Sequence, residues 1–225
     1  MVELQYFGHS FFKLKDKNGT ILIDPIFDTT KTDSAKIKKI PIKKDDFKDV
    51  SLILLTNELQ EHFDKSAVEQ IVKNTNAIVV AHDSLLTDLS IPRSLKAPMG
   101  QGADLFLKGF KISAKTAHCP QSFCPTGYLI ESNGKKIYHA GVTNLLDSFS
   151  RIRADVVILP LNNRSMDVVD VVRATKLMKP STLIPMQHDI FDFGKFDTKD
   201  LDRRIKESVL NTKTVILTPG RKIKV

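Results

Sequence analysis

Three short runs of apolar residues constrain the fold of this 225-residue chain more than any other feature. They are VSLILLT (50–56), AIVVA (77–81) and DVVILPL (155–161). Each run has the length of a β-strand and shows little alternation between apolar and polar residues, which predicts strands buried on both faces. Strands of this kind need a covering layer on each side, so we expect helices outside two packed sheets.

The remaining strands are predicted from shorter apolar stretches and turn signals. They lie at 2–7, 11–14, 20–24, 103–117, 126–139, 181–186 and 213–220. The dipeptide Asn18-Gly19 is typical of a hairpin turn, and turns at KGF and SNGKK interrupt the fourth and fifth of these stretches. The lysine-rich segment 31–48 is interpreted as a loop or an insertion.

Helices are predicted between the strands. Ser66 with Glu69 fits a capping box, and Val68, Ile71 and Val72 follow it at helical spacing. A second apolar face runs from 168 to 175, a third helix covers 197–209, and a short helix begins near His82 with Asp83 or Ser84 as its cap. No low-complexity linker divides the chain, so we predict a single α/β domain over 1–225.

Composition narrows the class of protein. No segment approaches the roughly 20 apolar residues of a membrane span, and the N-terminus does not have the pattern of a signal peptide, so a cytoplasmic location without membrane contact is expected. The only cysteines, Cys119 and Cys124, are expected to be reduced, with a redox bridge as an alternative. The net charge of +8 is explained either by a lysine-rich solvated surface or by an acidic partner such as nucleic acid.

Seven stretches in order carry a resemblance to a known superfamily. They are YFGHSFF (6–12), ILIDP (21–25), LILLTNELQEHFD (52–64), TAHCPQS (116–122), KKIYHAGVT (135–143), DVVILPL (155–161) and LIPMQHDIF (183–191). Together they resemble the metallo-β-lactamase fold, and within it the small metal-dependent hydrolases similar to ascorbate-6-phosphate lactonases. The resemblance covers nearly the whole chain and implies a four-layer αββα sandwich.

The resemblance also implies a site for two metal ions, with ligands from a T-H-x-H-x-D-H loop, an A-H stretch, a G-D-T turn and a last histidine after a late strand. In this chain the matching positions are Asn57, Leu59, Glu61, His62, His118, Val142 and Gln187, and His188 follows directly. Leu59 and Val142 cannot bind a metal, and the neutral amides Asn57 and Gln187 are poor ligands. Without the bridging carboxylate, two cations about 3.5–4 Å apart are unfavourable.

We therefore interpret the chain as a hydrolase homologue whose dinuclear site is largely lost, and which is non-hydrolytic or weakly active. Its cleft would then bind a small anionic ligand or take part in assembly, as a homo-oligomer or with an active paralogue. Residues of this cleft are expected to be His9, Asp24, Asn57 and Gln187. His139 is interpreted as structural.

Several alternatives stay open. An active hydrolase of a phosphorylated sugar, a lactone or a phosphodiester would use one weakly bound Zn, Mn or Fe ion, held by Glu61, His62 and His188 or by His62 with His118. Metal-free acid–base chemistry would use His62 or His118 beside Glu61. A Cys119 or Cys124 nucleophile beside a histidine is a further option, and so is a nucleic-acid-associated protein that uses its basic surface.

Overall fold

The structure is a computed structural model that describes residues 1–27, 43–162, 164–188 and 198–225. Most of the segment predicted as a loop or insertion, 31–48, lies outside these ranges, and its described part contains a short 3₁₀ turn at Lys44–Asp46. No helix in the described ranges is both long and apolar enough to cross a bilayer.

Strands and helices follow one another in two similar halves. The strands are β1 (Glu3–Gly8), β2 (Phe11–Asp16), β3 (Gly19–Ile23), β4 (Leu52–Leu54), β5 (Ile78–Ala81), β6 (Lys96–Pro98), β7 (Asp104–Leu107), β8 (Phe110–Thr116), β9 (Thr126–Ser132), β10 (Lys135–His139), β11 (Val156–Pro160), β12 (Thr182–Met186), β13 (Lys213–Thr214) and β14 (Lys222–Lys224). The helices are α1 (Lys65–Thr75), α2 (Asp83–Asp88), α3 (Val168–Met178) and α4 (Thr198–Glu207).

These strands form two sheets, in the orders β14-β1-β2-β3-β4-β5-β6 and β13-β12-β11-β10-β9-β8-β7. In both sheets antiparallel hairpins are followed by parallel strands, from β3 to β6 and from β10 to β13. The three apolar runs that predicted doubly buried strands supply β4, β5 and β11, which all have parallel neighbours. Parallel strands need helices on their outer face, and this requirement explains their continuous hydrophobicity.

Three clusters of buried side chains form the core. Between the sheets, residues such as Leu14 and Ile21 face Phe110 and Ile130 in one buried cluster. A second cluster joins the outer face of the first sheet to α1 and α2, and a third joins the outer face of the second sheet to α3 and α4. The predicted four-layer αββα sandwich is therefore confirmed.

Two predicted helix starts are corrected. The cap of α1 is Asp64 and not Ser66, because the Asp64 carboxylate accepts a hydrogen bond of 3.0 Å from the Ala67 amide. The cap of α2 is His82 itself, whose Nδ1 atom accepts from the Ser84 amide at 3.3 Å. A histidine ring at a cap position has the acceptor that the role requires, although side-chain oxygens are the common choice.

The end of the chain also differs from the prediction. The strand predicted over 213–220 is limited to Lys213–Thr214, and the last strand is Lys222–Lys224, which pairs antiparallel with β1. Gly220 has a φ of +90° and its amide donates to the Tyr6 carbonyl at 2.7 Å. This turn carries the chain from the second sheet to the edge of the first and so closes the sandwich.

Two buried tyrosines provide a test of the packing. The Tyr128 hydroxyl donates to the Leu55 carbonyl at 2.9 Å, whereas the Tyr138 hydroxyl hydrogen-bonds none of the residues described. Removing a bonded hydroxyl leaves a buried carbonyl unpaired, so Tyr128→Phe should lower the free energy of unfolding by about 1–2 kcal/mol. Tyr138→Phe should leave it unchanged or raise it, and urea unfolding of both variants checks the contrast. Equal losses in the two variants would contradict it.

Candidate functional site

The candidate site lies at one edge of the sandwich, where strands of both sheets end. Asp24 follows β3, the loop 55–62 follows β4, and Gln187 follows β12. The two sheets touch here, because the Thr126 amide donates to the Thr56 carbonyl at 2.8 Å. Gly141, after β10, has a φ of +65°, and a Cβ at this position would lie 2.9 Å from the Thr56 Cβ. Only glycine permits this close approach of the loops.

The Asp24 carboxylate is the centre of a buried hydrogen-bond network. Its Oδ1 atom accepts from the Thr56 amide at 2.8 Å, and Oδ2 accepts from the Thr56 hydroxyl at 2.6 Å. Oδ2 also lies 2.6 Å from Nδ1 of His62. A carboxylate accepts hydrogen bonds, so we assign the ring proton of His62 to Nδ1. The Nε2 atom of His62 then carries a lone pair that faces the second sheet.

Gln187 occupies the position opposite this lone pair. Its Nε2 atom lies 3.1 Å from Nε2 of His62. Its Oε1 atom accepts a hydrogen bond of 2.5 Å from the Asn162 amide. The Asn162 oxygen in turn accepts from the backbone amides of Arg164 and Ser165, both at 2.8 Å. These contacts fix the direction of both side-chain amides, so Gln187 donates to His62.

Asn57 holds the loop after β4 in the same manner. Its amide group donates to the Thr56 hydroxyl at 2.9 Å, and its oxygen accepts from the Leu59 amide at 3.0 Å. Asn57 is fully buried. Both of its polar groups therefore stabilise the conformation of the loop.

The backbone at the site is strained at three strand ends. The φ angles of His9, Asp24 and Gln187 are +53°, +46° and +67°, in the left-handed region that favours glycine. Each such residue costs on the order of 1–3 kcal/mol and persists only where its surroundings enforce it. Side chains that are fixed at this cost point to a site that was shaped for a function.

Two further histidines pack against the network. The His9 ring lies against the His62 ring with a centroid distance of 4.8 Å, and burial, together with His62 and His139, lowers the pKa of His9. The His139 ring bonds backbone on both sides, with Nε2 3.0 Å from the Ser10 carbonyl and Nδ1 accepting from the Gly141 amide at 3.2 Å. These bonds give His139 the structural role that was predicted, and burial lowers its pKa to about 4.

Glu58 is a site residue that sequence reasoning missed. Its carboxylate accepts from the Ser122 hydroxyl, the Phe123 amide and the Cys124 thiol at 2.8, 2.9 and 3.1 Å. Burial opposes ionisation, but these hydrogen bonds hold the pKa of Glu58 below its usual value. Glu58 thereby joins the loop after β4 to the loop after β8. No feature of the sequence pairs these positions.

The two cysteines are separate free thiols, and both are buried. The Cys119 sulfur lies 3.2 Å from the Gln121 side-chain oxygen, and Cys124 donates to Glu58. Burial and the Glu58 contact raise the pKa of Cys124 to about 12. A thiol nucleophile requires a lowered pKa, so the arrangement does not support Cys124 in that role.

The predicted site residues do not all meet. Asp24, Asn57, His62 and Gln187 share the network, and His9 packs on it. His188 is buried directly after Gln187, Glu61 is half-buried, and His118 is exposed at the surface. Within the described ranges, neither the His118 ring nor the Glu61 carboxylate makes a hydrogen bond.

The residues present fit a metal ion poorly. Across the part of the chain that the structure describes, no group of three His, Cys, Asp or Glu side chains lies close enough to share an ion. The Nε2 atom of His62 is bonded to an amide, and the other aligned positions carry Leu59 and Val142. Apolar groups and neutral amides do not replace the imidazoles and carboxylates that zinc and similar metals prefer.

Comparisons with known proteins agree with the fold and define the family. A family described as "Beta-lactamase superfamily domain" matches residues 3–187. A UPF0173 metal-dependent hydrolase of Thermoplasma acidophilum is 30% identical over 207 residues, which cover 87% of each chain. Another from Sulfurisphaera tokodaii is 27% identical and covers 99% of each chain. The solved structure of Igni18, a metallo hydrolase from Ignicoccus hospitalis, superposes with a TM-score of 0.79 at 24% identity, over 99% of this chain and 97% of that one.

The chain therefore belongs to the β-lactamase superfamily, in its branch of small metal-dependent hydrolases. The resemblance of seven short stretches of sequence to the metallo-β-lactamase fold and its small metal-dependent hydrolases is confirmed. The family fixes the fold, whereas the chemistry depends on the side chains that this chain carries at its candidate site.

The buried His139 predicts a loss of stability in mild acid. Its pKa is about 4 in the folded protein and near 6.5 when unfolded, so between these pH values only the unfolded chain takes up the proton. The free energy of unfolding should fall as the pH drops through this window, by about 3 kcal/mol from this group. Urea unfolding at several pH values measures the loss.

A variant pair assigns this effect to His139. His139→Asn should reduce the slope between about pH 6.5 and 4 without abolishing it, because burial also lowers the pKa of His9, while His118→Asn, at an exposed position, should leave the slope as in the parent protein. The same slope in the parent protein and in His139→Asn would show that another group is responsible.

Proposed function

We propose that this chain is a member of the metal-dependent hydrolase family that is non-hydrolytic or only weakly active, and that the former metal cleft serves ligand binding. The observation that carries the proposal is the hydrogen bond from the Gln187 amide to Nε2 of His62, at 3.1 Å. An amide N–H group takes the position from which an imidazole lone pair would bind a metal.

Displacing this amide is unfavourable. A cation bound to His62 would have to expel Gln187, which would also break the 2.5 Å hydrogen bond from Asn162. Each buried polar group left without a partner costs about 1–3 kcal/mol. A single imidazole, without further charged ligands, does not compensate for that loss, because stable zinc sites use at least three good protein ligands.

The other aligned positions support the same conclusion. Both polar groups of Asn57 are used within its own loop. Leu59 and Val142 bring apolar surface to the places of a ligand and of the bridging carboxylate. The substitutions fall on three separate segments that meet at one edge of the sandwich, which favours loss of the site as a unit.

The ligand that we propose is a small anion. The exposed His118 ring is a donor that suits a carboxylate or phosphate group. Glu61, half-buried in the loop after β4, would disfavour ligands of high negative charge. If the cleft instead serves assembly, the partner that we propose is a second copy of this chain or an active paralogue.

The second candidate is a hydrolase of a phosphorylated sugar, lactone or phosphodiester that uses one metal ion. It is favoured by the half-buried Glu61 and the exposed His118, since neither side chain is hydrogen-bonded within the described ranges. Either side chain would be available to a single zinc, manganese or iron ion held together with His62. The two candidates differ in metal content, which can be measured directly.

Metal analysis separates these candidates. Protein purified without chelator and then dialysed against micromolar zinc, manganese or iron should retain far less than one ion per chain, because the described residues offer no set of three ligands. Elemental analysis by mass spectrometry gives the stoichiometry. One tightly bound ion per chain would overturn the non-hydrolytic proposal and support the single-metal hydrolase.

Restoring the family ligands should restore metal uptake. The variant with Asn57→His, Leu59→His, Glu61→Asp, Val142→Asp and Gln187→His is expected to bind metal when it is folded. A matched variant that keeps Gln187 should bind more weakly, since the amide still occupies the lone pair of His62. Circular dichroism confirms folding. A folded five-substitution variant without metal would show that the aligned positions do not form the site.

A further inference from the structure

Three hairpin turns lie at the end of the sandwich opposite the candidate site. The strand β2 starts near His9 and runs away from the site to Asp16, while β9 runs from Thr126 to Ser132 in the same sense. A strand of six residues extends for about 20 Å. The turns after β2, after β7 and after β9 are thus about one strand length from the network around Asp24.

Hydrogen bonds fasten these turns to one another. The Asn18 side chain donates to the Gly109 carbonyl at 3.0 Å, and the Ser132 hydroxyl donates to the Asp16 carboxylate. Gly109 has a φ of +81°, and a Cβ there would lie 2.9 Å from the Asn18 side chain. The position therefore requires glycine, and the three turns form one surface, which we call the hairpin end.

The hairpin end has a surplus of positive charge. Lys17 lies between Asp16 and Asn18, Lys108 precedes Gly109, and Lys135 pairs across the hairpin with Ser132. None of these three lysines makes an ion pair with any residue in the described ranges. Lys111 and Lys136 share Glu131, at 3.3 and 3.7 Å. Asp16 already accepts hydrogen bonds from Asn18 and Ser132, so it offers little compensation.

An exposed aromatic ring lies beside these lysines. Phe106 is 75% exposed on the edge strand β7. In the sheet register Phe106 lies next to Lys111 on β8. Glu131 on β9 and Lys136 on β10 continue the same line across the sheet. Adjacent strands are about 4.8 Å apart, so the ring and the two lysines form one row across the outer face of the sheet.

We propose that the hairpin end and this row bind single-stranded nucleic acid. An unpaired base can stack on the Phe106 ring, while Lys111 in the same row and Lys108 at the adjacent turn contact the phosphates that flank it. A small anion would use the charge but not the ring. Acidic peptides and anionic bilayers match the charge, yet an isolated ring among spaced lysines suits a base with a phosphate on each side better than either.

Fluorescence anisotropy with a labelled thymidine oligonucleotide of about 20 nucleotides tests the proposal. The parent protein should bind at about 50 mM salt and lose most of this affinity at about 200 mM, because lysine–phosphate contacts release counterions. Phe106→Ala should weaken binding roughly tenfold through loss of stacking, and Phe106→Tyr should retain it. The ring is exposed, so neither change disturbs the core.

A matched pair of charge variants locates the surface. Lys17→Glu, Lys108→Glu and Lys135→Glu together should lower affinity by at least about tenfold and reduce the salt dependence. Lys65→Glu, Lys73→Glu and Lys176→Glu make the same change of charge at exposed positions on the helices α1 and α3 and should have a much smaller effect. Thermal unfolding shows that each variant is folded; if the triple variant is not, the single variants Lys17→Glu and Lys108→Glu take its place.

Three results would overturn the proposal. They are no binding of the oligonucleotide at low salt, equal losses in the two triple variants, and stronger binding to phosphatidylserine vesicles or to a polyglutamate peptide than to the oligonucleotide. None of these measurements depends on the metal content of the site at the other end of the chain.

Discussion

The buried Asp24 carboxylate is the interaction on which the candidate site depends. It is fully inaccessible to solvent and accepts hydrogen bonds from the Thr56 amide, the Thr56 hydroxyl and the His62 ring. A buried charge or polar group without such partners would cost several kcal/mol. Since these donors come from the loop after β4, the end of β3 and that loop hold each other in place.

This arrangement allows the chemistry of the site to change while the fold around it is kept. The carboxylate fixes His62 through Nδ1, so the partner of Nε2 can change while the ring stays where it is. In this chain the partner is Gln187, and an amide has both a donor and an acceptor with which to satisfy two buried neighbours. Asn57 does the same within the loop. Neutral amides can therefore replace metal ligands without leaving the edge of the sandwich unsatisfied.

Sequence alone predicted the αββα sandwich, because doubly buried strands require helices on the outside and seven ordered stretches resemble one superfamily. The resemblance also implied that Asp24, Asn57, His62 and Gln187 belong to one cleft, because they match site positions of the family. It could not predict the direction of the Gln187 amide, which is set by Asn162 25 residues away in the chain. The contact of Glu58 with the loop after β8, 64 to 66 residues away, was missed for the same reason.

The location of the basic surface could not be predicted from the sequence either. A net charge of +8 says nothing about where the charge lies, and the sequence does not show which of its lysines the fold brings beside an exposed aromatic ring. The pairing register of β7 to β10 brings Phe106, Lys111 and Lys136 into one row, and the contacts of Asn18 with Gly109 add the lysines of the neighbouring turns. These residues share no contact with the network around Asp24. The two ends of the strands are thus held by separate interactions, so a change of side chains at one end need not alter the surface at the other.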